Sequence, residues 1–169
     1  YDVMDGIGAH EVIIETPDHD KSIADLDYNE VQKIIWAYRT RCLDLKNDIR
    51  FEYILIFRNH GDAAGSTLEH PHSQLIATPI VPKRVLEEVS GAKNHYEYKE
   101  RCVFCDMLKQ EIKDSIRLIL ENKNFVSFAP FAPRFPFETW VLPKKHNPDF
   151  LNITEEETFD LAKILRDTL

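Results

Sequence analysis

The sequence predicts an α+β protein, antiparallel strands with helices to one side, built twice. Three observations lead there. Short runs rich in β-branched and aromatic residues alternate with stretches that put apolar residues at i, i+3, i+4 and i+7. An internal echo, offset by 127 residues from His19 to His146, sets Glu11-Val-Ile-Ile-Glu-Thr-Pro-Asp-His19 over Glu138-Thr-Trp-Val-Leu-Pro-Lys-Lys-His146. The 169 residues, 43% hydrophobic and 30% charged, suffice for one sizeable core or two small ones.

Each copy of the echo reads as a β-rich run, a proline, a histidine and then a helix start. Asp27-x-x-Glu30 and Thr154-x-x-Glu157 occupy matching positions, and both are capping boxes. After Asp27, Val31, Ile34, Ile35, Tyr38, Cys42 and Leu45 form one face of a helix. Strands are expected over residues 51–57 and 73–79, joined by a polar loop that holds Gly61 and Gly65. A helix over 83–89 leads into a polar linker at 91–101, and a second helix covers 106–113. A strand at 125–128 is followed by Pro130, Pro133 and Pro136, which forbid regular structure before a last strand at 138–142. Residues 1–95 and 96–169 are therefore expected to be two units. The first residue is Tyr and the last helical pattern breaks off at Leu169, so the chain reads as the middle of a longer protein.

Composition narrows the function. With 21 Lys+Arg against 29 Asp+Glu the formal charge is −8, and no basic stripe is present, which argues against a nucleic-acid backbone binder. No apolar run approaches the ~20 residues of a membrane span, and no secretory signal opens the chain. Three cysteines, two of them as Cys102-x-x-Cys105, make no disulfide framework; in a reducing cytosol such a pair signals a metal or redox site. A cytoplasmic domain without membrane or nucleic-acid partners is expected.

The sharpest local signal is His70-Pro71-His72-Ser73-Gln74. On an extended segment His70, His72 and Gln74 line up on one face. Two imidazoles and a carboxamide together supply a nucleophile and neutral donors for a phosphoryl oxygen. The preceding segment, Asn59-His60-Gly61-Asp62-Ala63-Ala64-Gly65-Ser66-Thr67, is small and hydroxylated, and allows close backbone approach to a phosphate. Other residues read as structural: Cys42 and the phenylalanines 128, 131, 135 and 137 as packing, His10, His60 and His95 as lacking a partner pattern, and Lys144 and Lys145 as a solvated strand end.

Asn59, Gly61, Gly65, Ser66, Thr67 and His70-Pro-His72-x-Gln74, in this order, resemble the galactose-1-phosphate uridylyltransferases of the histidine-triad superfamily. Gln74 stands where the superfamily's hydrolases carry a third histidine, as in its nucleotidyl-transferring branch. The resemblance implies a histidine-triad-like sheet in each of two repeats. It implies His72 as nucleophile towards UDP-glucose, passing a uridylyl group to galactose 1-phosphate, with Gln74 donating to a phosphoryl oxygen. Asn59, Gly65, Ser66 and Thr67 would hold the phosphates, and Phe57 would pack either near the nucleotide or in the core. It further implies zinc, with His19 and His70 as half of one site and Cys102, Cys105 and His146 as most of another, or a single site drawing on both sets. A homodimer is implied as well. Two alternatives stay open: an ADP-sugar or dinucleoside-polyphosphate phosphorylase of the same superfamily, and a zinc-stabilised binding module without turnover.

Overall fold

Asp27 caps the first long helix as its sequence predicts: its carboxylate accepts from the Glu30 amide at 2.9 Å, and Glu30 accepts from the Asp27 amide at 2.9 Å. In this computed structural model, which describes residues 5–66 and 68–169, the chain divides into two units, Tyr1–Lys83 and Arg84–Leu169.

In the first unit, β1 (Ala9–Ile14), α1 (Tyr28–Leu45), β2 (Tyr53–Phe57) and β3 (His72–Thr78) follow in order. The sheet is antiparallel with β3 in the centre, in the order β1-β3-β2. Pairing sets Ile14 opposite His72, Val12 opposite Gln74, and Phe57 opposite Gln74 from the other side. Because side chains alternate, Ser73, Leu75 and Ala77 share one face, and all three are fully buried. Val31, Ile34, Ile35 and Cys42 are the buried stripe of α1, as the helical spacing predicts. A bidentate Arg41–Glu11 pair, both contacts 2.7 Å, ties α1 to β1. The opposite sheet face carries His72 and Gln74 beside exposed Val12, Ile14 and Leu55.

The second unit comprises most of α2 (Lys83–Lys99), then α3 (Val103–Asp114), β4 (Leu118–Glu121), β5 (Phe125–Phe128), β6 (Trp140–Pro143) and α4 (Glu155–Thr168). Its antiparallel order is β4-β5-β6. Every residue of β5 is buried. Val126 and Phe128 pack with Leu108 of α3, whereas Phe125 packs with Ile153 and with Ile164 of α4. Helices thus cover both faces of this sheet, not one, which follows from the unbroken Phe-Val-Ser-Phe run of β5. Short 3₁₀ turns at Ile23–Asp25 and Phe150–Asn152 precede α1 and α4 at the 127-residue offset, so the echo is structural: strand, loop, 3₁₀ turn, capped helix.

Three further expectations are corrected. The polar stretch 91–101 is no linker, because its Ala, Lys and Glu residues continue α2 to Lys99, and the division expected between 95 and 96 falls inside that helix. β4, Leu118–Glu121, is a further strand beyond those the sequence pattern predicts. Phe131, Phe135 and Phe137 are exposed, the last completely, with guanidinium groups over the first two rings from Arg117 and Arg134. Among the described residues no helix is long and apolar enough to cross a membrane.

Candidate active site and metal clusters

β3 opens on His72, which is only 5% exposed. Its Nδ1 lies 2.8 Å from the His70 carbonyl oxygen. A carbonyl can only accept, so Nδ1 carries a proton, and in the neutral ring Nε2 is the nitrogen with the free lone pair. That tautomer is the nucleophilic one. The neighbouring Ser73 points to the opposite face and is buried in a polar network. Its hydroxyl donates to Glu15, Tyr38 of α1 donates to the Ser73 oxygen, and Arg58 places its Nε 3.1 and 3.0 Å from the two Glu15 oxygens. Burial pushes the Tyr38 phenol up to about 12, with the Glu15 carboxylate adding to the shift and the Ser73 and Arg58 contacts opposing it. It stays a donor throughout the physiological range. Strands β1, β2 and β3 and helix α1 are thereby pinned at one point directly behind His72.

Gln74 shares the His72 face, but His70 does not continue it. Pro71 has no amide to give to a ladder, the strand begins one residue later, and His70 turns instead towards residues 16 and 19. A cleft of about 300 Å³ opens beside His70 and His72, lined also by Arg58, Asn59, Gly61 and Ser66 among others, with Gln74 outside its lining. Its rim is the predicted glycine loop. Gly61 and Gly65 both have φ of 76°, a left-handed conformation that side chains disfavour, and they flank a single 3₁₀ turn at Asp62–Ala64. The turn consumes amides that a phosphate would use: Gly65 donates to Asp62 and Ser66 to Gly61. Asn59 and Ser66 line the cleft, Gly65 lies outside its lining, and Thr67 lies outside the described residues.

The metal-type residues fall into two clusters. In the first unit His19 Nδ1 stands 3.2 Å from His70 Nδ1. His70 donates Nε2–H to the Thr16 carbonyl at 2.8 Å, which leaves its Nδ1 as the ligating atom. Two nitrogens on one tetrahedral zinc sit about 3.3 Å apart, so the pair fits such an ion. In the second unit Cys102, Cys105 and His146 bring their ligand atoms within 4.8 Å of one another, with Cys105 Sγ 3.2 Å from His146 Nδ1. Cys102 is the N-cap of α3 and Cys105 lies in its first turn, which aims both thiols the same way. Burial first, then the neighbouring Cys102, pushes the Cys105 thiol up; a bound cation would favour the thiolate instead.

Residues 1–82 match the model of the galactose-1-phosphate uridyl transferase N-terminal domain, and residues 88–169 that of its C-terminal domain. The chain belongs to the galactose-1-phosphate uridyl transferase family. Among its relatives, ADP-glucose phosphorylase of Arabidopsis thaliana is 35% identical over 95% of the chain and 44% of its own length. Galactose-1-phosphate uridylyltransferase of Thermotoga maritima is 34% identical over 94% of the chain and 49% of its own length. The crystal structure of the Arabidopsis phosphorylase with bound ADP-glucose superposes with a TM-score of 0.92 at 34% identity, over 99% of the chain and 53% of that structure. The chain therefore spans about half the length of these family members. Sequence reasoning missed Glu15, Tyr38 and Arg58, whose network depends on pairings 35 to 58 residues apart. It also gave His10 no partner, yet His10 touches Gln74.

Proposed function

We propose that the whole protein transfers a nucleotidyl group between a nucleoside-diphosphate sugar and a sugar phosphate through a covalent histidine, with UDP-glucose and galactose 1-phosphate as substrates. The observation that carries this reading is the His72 ring, held through Nδ1 by the His70 carbonyl at 2.8 Å at the edge of a cleft, which leaves Nε2 as the nitrogen for attack. In the first half-reaction Nε2 attacks the α-phosphorus of UDP-glucose. The N–P bond forms, the P–O bond to glucose 1-phosphate breaks, and the leaving phosphate takes the electron pair. The His70 carbonyl then faces a cationic ring, which strengthens the Nδ1–H bond as charge develops. In the second half-reaction an oxygen of galactose 1-phosphate attacks the same phosphorus and releases His72. Dividing one displacement into two predicts ping-pong kinetics. Gln74 donates to a phosphoryl oxygen and, having no titratable proton, supplies no acid to the leaving group. Asn59 and Ser66, which line the cleft, hold the substrate phosphates.

Zinc is the metal we assign to both clusters, at His19 and His70 in the first unit and at Cys102, Cys105 and His146 in the second. Bound there, it would tie chain segments together.

A second reading, ADP-sugar phosphorolysis, is favoured by the 35% identity to the Arabidopsis phosphorylase. It uses the same His72 with phosphate as acceptor. Incubating the full-length protein separately with UDP-glucose and ADP-glucose, each labelled in the α-phosphate, decides between them. The label that stays on the denatured protein names the nucleotide. Absence of label from both would overturn covalent catalysis and leave a binding module.

A further inference from the structure

His10 has no part in the chemistry described so far. It is an exposed residue of β1, and its Nε2 stands 2.9 Å from Gln74 Oε1. The register accounts for the contact. His10 lies opposite Ile76 and Val12 opposite Gln74, so His10 and Gln74 are diagonal neighbours on one face of paired strands. That diagonal, about 7–8 Å, is within reach of two long side chains. β1 is not free to drift there, because it pairs with β3 along its whole length and Arg41 clamps the adjacent Glu11 from the other face.

A carboxamide has nearly the same shape when flipped, but opposite chemistry at its two ends: the oxygen accepts and the nitrogen donates. An imidazole N–H directed at Oε1 selects one of the two orientations. We propose that His10 is a positioning residue for Gln74, donating Nε2–H to Oε1 so that the amide NH2 faces the phosphoryl oxygens at His72. Without that bond the amide also samples the flipped state, in which Oε1 meets a phosphoryl oxygen and repels it. The inference rests on the roles assigned to His72 and Gln74.

The test uses the full-length protein and whichever labelled nucleotide sugar marks the wild type. Single-turnover formation of nucleotidyl-His72, steady-state kcat and KM, and melting temperature are measured for His10→Ala, His10→Gln, Gln74→Ala and the double alanine variant. The loss of one net hydrogen bond predicts that His10→Ala slows nucleotidylation about fivefold, with KM and melting temperature unchanged. His10→Gln brings its own N–H2 to Oε1 and restores most of the rate. The double variant is no slower than Gln74→Ala alone, since the two residues act as one unit. A wild-type rate for His10→Ala, additive losses in the double variant, or a lowered melting temperature without rescue by His10→Gln would each overturn the assignment. A wild type that takes no label removes the His72 reading and this inference with it. A labelled wild type with additive losses removes His10 alone.

Discussion

At the scale of single residues the site separates groups that react from groups that hold. His72 is the proposed nucleophile, and its side-chain hydrogen bond goes to the His70 carbonyl. His72→Asn keeps a side-chain N–H for that carbonyl but has no second nitrogen. It should abolish covalent labelling while far-UV circular dichroism stays that of the wild type; a variant that still labels would exclude His72. Ser73, one residue away, is the converse case. It is fully buried and satisfies Glu15 and Tyr38 at once. Ser73→Ala takes one bond from Glu15, which keeps Arg58, and leaves the half-buried Tyr38 hydroxyl without its Ser73 partner, for which a cost of about 1–2 kcal/mol is expected. Tyr38→Phe should cost less, because Ser73 still donates to Glu15. Urea unfolding of both variants measures the order, and the reverse order would show that Tyr38, not Ser73, is the keystone of the network.

At the scale of elements, the loop between β5 and β6 is held by one carboxylate. Glu138 accepts from the Arg134 amide at 2.6 Å, from Arg134 Nη2 at 3.1 Å and from Trp140 Nε1 at 2.9 Å. The Trp140 bond first, then Arg134, hold it well below the ordinary 4.5, at about 2. Its neighbour Phe137 sits at φ 64°, a strained value for an aromatic residue, and the Glu138 bonds offset that strain. A depressed carboxylate stabilises the fold fully above its unfolded pKa and loses that contribution as pH falls through the folded one. The stability difference between wild type and Glu138→Gln should therefore be constant above pH 4.5 and shrink as pH falls towards 2. Urea titrations at several pH values check this, and a difference independent of pH would mean that the contacts act by shape alone. Elements of this kind differ in how legible they are in sequence. Both capping boxes and the stripe of α1 were readable because each is a pattern within one turn or one helix face. The shared face of His72 and Gln74 followed from the strand period. Burial of β5 on both faces, the length of α2 and the exposure of Phe131, Phe135 and Phe137 depend on what packs against them, which no local period records. The Glu15–Ser73–Tyr38–Arg58 network and the His10–Gln74 contact were hidden for the same reason: their partners are distant in sequence and meet only through register.

At the scale of the molecule, two units carry equivalent histidines with different companions. His19 meets His70, two residues from the proposed nucleophile, whereas His146 meets Cys105 at the start of α3. Equivalent position does not imply equivalent consequence. A metal on Cys102, Cys105 and His146 would join the N-terminus of α3 to the segment after β6, and its loss should loosen the second unit's own core, which includes Leu108, Val126 and Phe128. A metal at His19 and His70 would fix the residue whose carbonyl orients His72, and a displacement of about an ångström there would cost much of the proposed rate. Cys102→Ser should therefore lower metal content and melting temperature with a modest effect on exchange, and should raise amide hydrogen exchange in α3 but not in β3. His70→Asn should lower metal content and rate together, and should raise exchange in β3. Mass-spectrometric metal analysis, thermal melts, assays and segment-resolved hydrogen exchange on the full-length protein test both. Equal losses of rate in the two variants would dissolve the division of labour between the units, and a metal-free wild type would remove both metal assignments while leaving the geometry of His72 as it stands.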